Sequence, residues 1–409
     1  MSPATRSAPL IRPDAVRVGP GGSGGYGEQA DPPAYAALDL GTNNCRLLVA
    51  RPLFDVGAAA AASDAAHRQG QPSRPPATFE VIDAFSRIVR LGEGVERTGL
   101  LSRAAMDRTI DALKVCAAKI RRRRVLHARQ VATEACRRAT NCGEFLARVR
   151  GETGLPFEII TSAEEAALAL AGCATLLERA RPYAVVFDIG GGSTELMWAR
   201  LPEVGGDAAA ADGWSGAADG VATGADTGLA GSTQLIDSIS LPFGVINLSE
   251  SFGGDAISAA DFERMVDLVR APMADFEARH GIHARIAAGA VQMLGTSGTV
   301  TTLAGIRLGL PSYDRSRVDG SFLEFREVED VTRRLLSLDC RQRAQEPCIG
   351  PSRADLVLAG CAILAAICRT WPVGRLRVAD RGVREGILFN LMRQTLGGSS
   401  HSISSTTRR

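Results

Sequence analysis

Two glycine turns, each preceded by a short apolar run ending in aspartate, constrain this chain more than any other feature. The first is Ala36-Ala37-Leu38-Asp39-Leu40-Gly41-Thr42-Asn43, and the second is Val186-Phe187-Asp188-Ile189-Gly190-Gly191-Gly192-Ser193-Thr194-Glu195. Each reads as a buried strand that delivers an acid and then turns through glycine, where the missing Cβ lets backbone N–H groups approach an anion. The hydroxyls that follow can add hydrogen bonds to phosphate oxygens. One such turn is an ordinary strand connection. Two in equivalent settings predict a duplicated fold that holds phosphate between its halves.

The 409 residues exceed the size at which a single hydrophobic core keeps growing, so two domains are expected. Residues 36–40, 45–51 and 78–86 read as strands, 102–123 as a helix, 128–133 as a strand, 142–153 as a helix, 157–161 as a strand and 163–179 as a helix. The order then begins again with strands at 183–189, 194–201 and 234–241, and helices at about 258–280 and 299–308. This repetition predicts an α/β protein of two mixed-sheet domains, 34–180 and 181–396, facing one another across a cleft. The last helix is free to pack back on the first domain. Residues 1–33 and 397–409 read as disordered ends, and 55–77 and 203–232, dominated by Ala, Gly, Asp and Ser, as surface insertions between hairpin strands.

A formal charge of +2 argues against a general nucleic-acid or membrane surface, so a polyanionic ligand needs a local basic patch. The run Arg121 to Arg124 closes a predicted helix, where cations meet the negative end of the dipole. Nine cysteines without a C-x-x-C pair, several inside apolar helical runs, read as reduced, buried thiols of a cytoplasmic protein. The five histidines form no zinc-ligand pattern. The N-terminus lacks the apolar core of a secretory signal, and the longest apolar stretch, 356–368, is too short to span a bilayer.

Four further stretches could do chemistry. Arg137 and Arg138 follow a predicted strand, where arginine suits bidentate phosphate contact or simply an exposed turn. Thr161 and Ser162 can cap the next helix and Glu164 and Glu165 complement its dipole, yet a carboxylate projecting there into a cleft could also take a proton from water. Gly295, Ser297 and Gly298 form another glycine and hydroxyl turn that either holds a second phosphate at a helix start or merely links strand to helix. Residues 378–386 end a strand and open a final helix, with charges that close the cleft or solvate a cap. No Walker motif occurs, and no G-x-G-x-x-G or G-x-S-x-G sits between a predicted strand and helix.

Taken in order, ALDLGTNNCRLLVA, VATEACRRATN, FEIITSAEEAALALAG, VVFDIGGGSTEL, SISLPFGVINL, MLGTSGTVTTLAG and LRVADRGVREGIL resemble the exopolyphosphatase and guanosine pentaphosphate phosphohydrolase family, over about residues 35–393. The resemblance implies the actin-like ATPase superfamily fold, two ribonuclease-H-like domains with mixed sheets around a central cleft. It makes Glu165 the base that activates water, Glu195 its helper across the cleft, and Arg137 a catalytic phosphate contact. Asp188, with Glu195, becomes the expected holder of Mg2+ or another divalent cation. Asp39, Gly41, Thr42, Asn43 and Arg46 match the first phosphate loop, and Gly190, Gly191, Gly192, Ser193 and Thr194 the second.

Where many relatives carry Ser this chain has Asn44, and it lacks the C-terminal helical HD-type region of longer members. The expected activity is hydrolysis of the terminal phosphoanhydride of inorganic polyphosphate. The alternatives are a guanosine pentaphosphate 5'-phosphohydrolase, a non-catalytic polyphosphate or alarmone sensor and, more weakly, a sugar kinase. The expected partners are the polyphosphate or guanosine pentaphosphate itself, with no nucleic acid and no membrane, and a homodimer is left open.

Overall fold

The apolar run ahead of Asp39 forms β1 (Tyr35–Leu40), and the glycine turn returns it antiparallel as β2 (Asn44–Leu53). This is a computed structural model whose described residues are 32–53, 78–202, 233–254 and 257–397. Residues 1–31 and 398–409 and both expected insertions, 55–77 and 203–232, lie outside them. The first lobe continues with β3 (Thr78–Ile88), α1 (Arg103–Arg122), β4 (His127–Ala132), α2 (Glu134–Arg138), α3 (Cys142–Thr153), β5 (Glu158–Ile159) and α4 (Ser162–Cys173). Its sheet has the order β3-β2-β1-β4-β5, antiparallel through the hairpins and parallel from β1 to β5.

The second lobe repeats the plan with β6 (Tyr183–Ile189), β7 (Thr194–Arg200), β8 (Gln234–Leu241), α5 (Val245–Ser251), α6 (Ala259–Arg270), α7 (Met273–His280), β9 (Val291–Thr296) and α8 (Gly298–Arg307). Then follow β10 (Phe322–Glu324), α9 (Phe325–Leu336), α10 (Val357–Thr370), β11 (Arg375–Ala379) and α11 (Val383–Gly397). The sheet order is β10-β11-β9-β6-β7-β8. Without β10, it corresponds strand for strand to the first sheet. The register agrees as well: Asp39 faces Arg46 across β1 and β2, and Asp188 faces Glu195 across β6 and β7.

The expected fold class therefore holds, with local corrections. The helix expected over 258–280 is broken into α6 and α7, because Pro272 sits between them and cannot donate the bond a continuous helix needs. The helix expected over 163–179 ends at Cys173 and tightens into a 3-10 turn at Ala174–Leu176. The strand expected over 157–161 shrinks to two residues, since this edge strand pairs only with Val131 and Ala132. The apolar stretch 356–368 is the buried helix α10, and no described helix is long and apolar enough to cross a membrane. Arg122 and Arg123 of the basic run, together with Lys119, close on Asp83 of β3 at 2.6–2.9 Å. All nine cysteines are free thiols and eight are buried.

Three buried apolar clusters hold the molecule together, each fully buried aliphatic side chain contributing about 1.5–3 kcal/mol. One lies behind each sheet. The third joins the lobes: Tyr35, Leu48 and Val131 of the first sheet meet Val186, Met197 and Leu294 of the second around α4 and α11. The final helix, α11, packs on α4 and lies against β1, with the Phe389 ring tilted against that of Phe79 at a centroid separation of 5.0 Å.

Glycine sets the approach of these two helices. A Cβ built on Gly386 would fall 2.0 Å from the Leu168 carbonyl oxygen, so the helices touch backbone to backbone. Gly386→Ala is expected to lose about 1–3 kcal/mol of stability in urea unfolding through overpacking. Gly143→Ala in α3, where an added Cβ meets nothing within 4 Å, is expected to leave stability unchanged or slightly raised. Equal effects at the two positions would show that the crossing is not tight.

Candidate active site

The two turns are built alike. Gly41 N donates to Asn44 O at 2.9 Å and Gly190 N donates to Ser193 O at 2.9 Å, closing the same loop at the end of β1 and of β6. They also confront each other. A Cβ on Gly191 would lie 2.9 Å from Asn43 N and 3.0 Å from Thr42 Cβ, so only glycine allows the loops this approach. Each loop is buttressed from behind: Val89 N and Arg90 N donate to Asn43 O, Gly92 N to Thr42 O, and Val245 N and Ile246 N to the carbonyls of Gly190 and Gly191.

A cavity of about 110 Å3 lies at this junction, walled by Asp39 and Asp188 from the strand ends and by Glu165 from the first turn of α4. Thr161 caps that helix by accepting from Glu164 N at 3.1 Å, which fixes the turn that carries Glu165. A second cavity of about 500 Å3 shares Asp39, Arg46, Asp188, Ser297, Gly298 and Arg353 with the first, and Arg384 lines it as well. Ser297 caps α8, its hydroxyl accepting from Thr299 N and Val300 N.

The carboxylates oppose their own ionisation. Burial pushes Glu165 well above the usual carboxylate range, repulsion from Glu195 adds to this, and the Arg137 guanidinium opposes it. Burial, then repulsion from Glu165, raises Asp188 to about 7. Burial likewise raises Glu195 to about 7, against hydrogen bonds from the Ser193 and Ser240 hydroxyls, 2.7 and 3.0 Å from its Oε1. Asp39 is raised by burial, with Arg46 and Arg384 pulling it down. Such clustering of perturbed acids in a cleft is typical of functional sites.

Most of the expected site residues converge here. Asp39, Gly41, Thr42, Asn43, Arg46, Glu165, Asp188, Gly190, Gly191, Ser193, Ser297 and Gly298 all line the cavity. Glu195, 2% exposed, stands just behind it, engaged by the two serines. Arg137 lies behind Glu165, donating through Nη1 to Glu165 Oε2 and to Ile160 O, both at 2.9 Å, and through Nε to Glu134 Oε2 at 3.0 Å.

Three expected contacts lie elsewhere. Thr194 is fully buried and donates to Phe243 O at 2.7 Å, because strand alternation turns it to the face opposite its neighbours. Gly295 packs against the Phe187 ring, where a Cβ would fall 2.4 Å from the ring edge. Gly192 faces a small separate recess beside Thr42 and Glu134.

Sequence reasoning missed Arg353, which stands in a loop without a local signal, and did not single out Ser240 within SISLPFGVINL or Arg384 within 378–386. Asn44, noted only as a departure, lines the cavity, and the side-chain oxygens assigned Oδ1 in Asn43 and Asn44 are buried without a partner.

The donor set fits a hard divalent cation of one kind. Among the described residues no three metal-ligating side chains form a dedicated cage. One or two carboxylates with water and substrate oxygens are what Mg2+ commonly accepts. Asp188 on the cavity wall, Glu195 behind it and the unpartnered asparagine oxygens supply that environment.

A model of the Ppx/GppA phosphatase family matches residues 67–395. Exopolyphosphatase 2 of Mycobacterium tuberculosis is 28% identical over 368 residues, covering 87% of this chain and 98% of the relative. A crystallised Ppx/GppA family member from Aquifex aeolicus is 26% identical with a TM-score of 0.62, covering 90% of this chain and 99% of that one. An exopolyphosphatase structure from Cytophaga hutchinsonii, 19% identical with a TM-score of 0.68 over 89% of this chain and 98% of that one, shares the fold.

The raised acids make stability pH-dependent. A carboxyl whose folded-state pKa is about 7 against an ordinary 3.8 binds more protons when folded, so stability falls as pH climbs through that window. With a chelator present, Asp188→Asn is expected to exceed the parent by about 2 kcal/mol in urea unfolding at pH 8, the two converging near pH 4. A gap that does not change with pH would mean that Asp188 ionises normally.

Proposed function

The chain belongs to the Ppx/GppA phosphatase family, and on that premise we propose that it is an exopolyphosphatase, hydrolysing the terminal phosphoanhydride of inorganic polyphosphate to release orthophosphate. The observation that carries this reading is the wall that the two cavities share. The carboxylate pocket adjoins a larger space lined by Arg46, Arg353 and Arg384. None of the three has a carboxylate within ion-pair distance among the described residues, whereas Arg315 and Arg381 in the same wall are paired with Glu385 and Asp319. Burial and the nearby Arg46 even lower the proton affinity of Arg353. A line of phosphates answers that charge along its length, with the terminal group between the turns.

Phosphoanhydride hydrolysis asks mainly for positioning, charge neutralisation and a proton acceptor. Glu165 takes a proton from water as the water oxygen bonds to the terminal phosphorus. The bridging P–O bond breaks, and its electron pair leaves on the shortened chain. Arg137, bonded to Glu165 Oε2, keeps that carboxylate aimed into the pocket. Asp188, with Glu195 behind it, would hold Mg2+ or a similar cation, which when bound supplies positive charge to the phosphate oxygens. Serine hydroxyls from positions 193 and 240 hold Glu195 in place.

Guanosine pentaphosphate is the second reading, and Tyr313 favours it. Its ring, 42% exposed, lines the wider cavity with its hydroxyl anchored on Asp380 at 2.7 Å, and it offers a face on which a base can stack.

Phosphate release from long polyphosphate, tripolyphosphate and guanosine pentaphosphate, with and without Mg2+, separates these readings. Long polyphosphate is expected to be the best substrate. Preference for guanosine pentaphosphate would favour the second reading, and binding without any release would make the protein a sensor. Glu165→Gln is expected to lower kcat by about 10²–10⁴-fold while tripolyphosphate binding persists. Since the base must be deprotonated and its pKa is raised, kcat/KM is expected to climb with pH above the ordinary carboxylate range. A flat profile, or equal loss of binding and turnover, would remove Glu165 from the role of base.

A further inference from the structure

Arg90 follows β3 in the first lobe and adopts a left-handed backbone, φ +48°, that is uncommon for a residue with a side chain. Its two ends do different work. The backbone N–H donates to Asn43 O at 3.0 Å, inside the first turn. The guanidinium crosses to the second lobe and grips Asp355 in a two-pronged pair, Nη1 to Oδ2 at 2.7 Å and Nη2 to Oδ1 at 2.8 Å, with Nη2 also donating to Ser352 O at 3.0 Å. The grip therefore falls on both sides of Arg353. Among the described residues the loop's other side-chain hydrogen bonds come from its own lobe: Ser249 Oγ donates to Asp355 O at 2.8 Å, Arg343 Nε to Ala354 O at 3.1 Å, and Arg353 Nη1 reaches Thr302 Oγ1 at 3.4 Å.

We propose that Arg90 is a positioning residue that ties the first anion turn to the loop bearing Arg353, and so fixes how far Arg46 and Arg353 stand apart in the cavity they share. Arg46 and Arg353 repel each other, and no carboxylate pairs with either among the described residues. Left to themselves the two segments would move apart. A planar fork held by two parallel hydrogen bonds sets orientation as well as distance, which a lysine at that position would not. The loop thereby keeps Arg353 on the wall of the cavity that Arg46 also lines. Arg90 touches no substrate in this account and acts through Arg353.

The inference rests on the anion-binding reading of the cleft but not on turnover, so calorimetric titration with inorganic tripolyphosphate tests it independently of hydrolysis. Arg90→Gly is the informative variant, because glycine accepts the left-handed backbone without strain and the fold should survive. Its affinity is expected to fall about tenfold, as should that of Arg353→Gln. The double variant Arg90→Gly/Arg353→Gln should be no weaker than Arg353→Gln alone. Asp355→Asn should reproduce the loss, and Arg90→Lys should not restore binding. Unchanged affinity in Arg90→Gly, losses that add in the double variant, or a parent that binds no tripolyphosphate would each overturn the proposal. If the parent binds tripolyphosphate with the expected coupling yet releases no phosphate from any substrate, the positioning role stands and the exopolyphosphatase reading falls.

Discussion

Everything in the cleft depends on one backbone hydrogen bond made twice, between the first glycine of each turn and the carbonyl three residues on. That bond ends β1 and β6 at the same point in their hairpins and delivers Asp39 and Asp188 to a common cavity. Because the loops then meet at Gly191 without an intervening side chain, the two acids face one shared cavity. Burial of like charges follows from the fold itself. The raised proton affinity of Glu165, Asp188 and Glu195 is its direct consequence.

Duplication is faithful in backbone and divergent in chemistry. The partner of Asp39 across its hairpin is Arg46, whereas the partner of Asp188 is Glu195. One half of the site is thus cationic at the position where the other is anionic. A ligand lying between them meets charge to bind its oxygens on one side and acids suited to a cation and a proton on the other. Glu165 belongs to neither hairpin; it enters from the capped start of α4, which packs between the sheets.

What the sequence disclosed was local, and what it concealed was assembled over distance. An apolar run, an acid and glycines in a few consecutive residues are enough to draw Asp39 and Asp188, whereas the Thr161 cap leaves Glu164 and Glu165 alike and only the family resemblance singles out Glu165. The repeat of strand and helix patterns disclosed the first sheet and the β6, β7 and β8 strands of the second, while β9 and β11 are only implied by the turns that follow them and the short β10 takes its identity from pairing with β11. Thr194 and Gly295 illustrate the opposite failure. Each sits in a phosphate-like stretch, but strand pleating sends the threonine to the far face, and the glycine makes room for the Phe187 ring. Arg353 carries no mark in its own neighbourhood, and its partnership with Arg90 through Asp355 spans two lobes. Pro272 is a local signal too, and it breaks the helix expected over 258–280.

The position of α11 has a consequence for how the chain is made. Strand β1 is among the earliest described elements to leave the ribosome, yet the helix that covers it is the last. Until that helix arrives, the inner face formed by Tyr35, Leu48 and Val131 has no late-chain partner, and the N-terminal half cannot complete its packing alone. Contacts of such sequence separation are slow to form and leave apolar surface bare meanwhile. Vectorial synthesis therefore works against this architecture. A truncated chain ending before α11 would be a client for chaperones rather than a smaller working lobe.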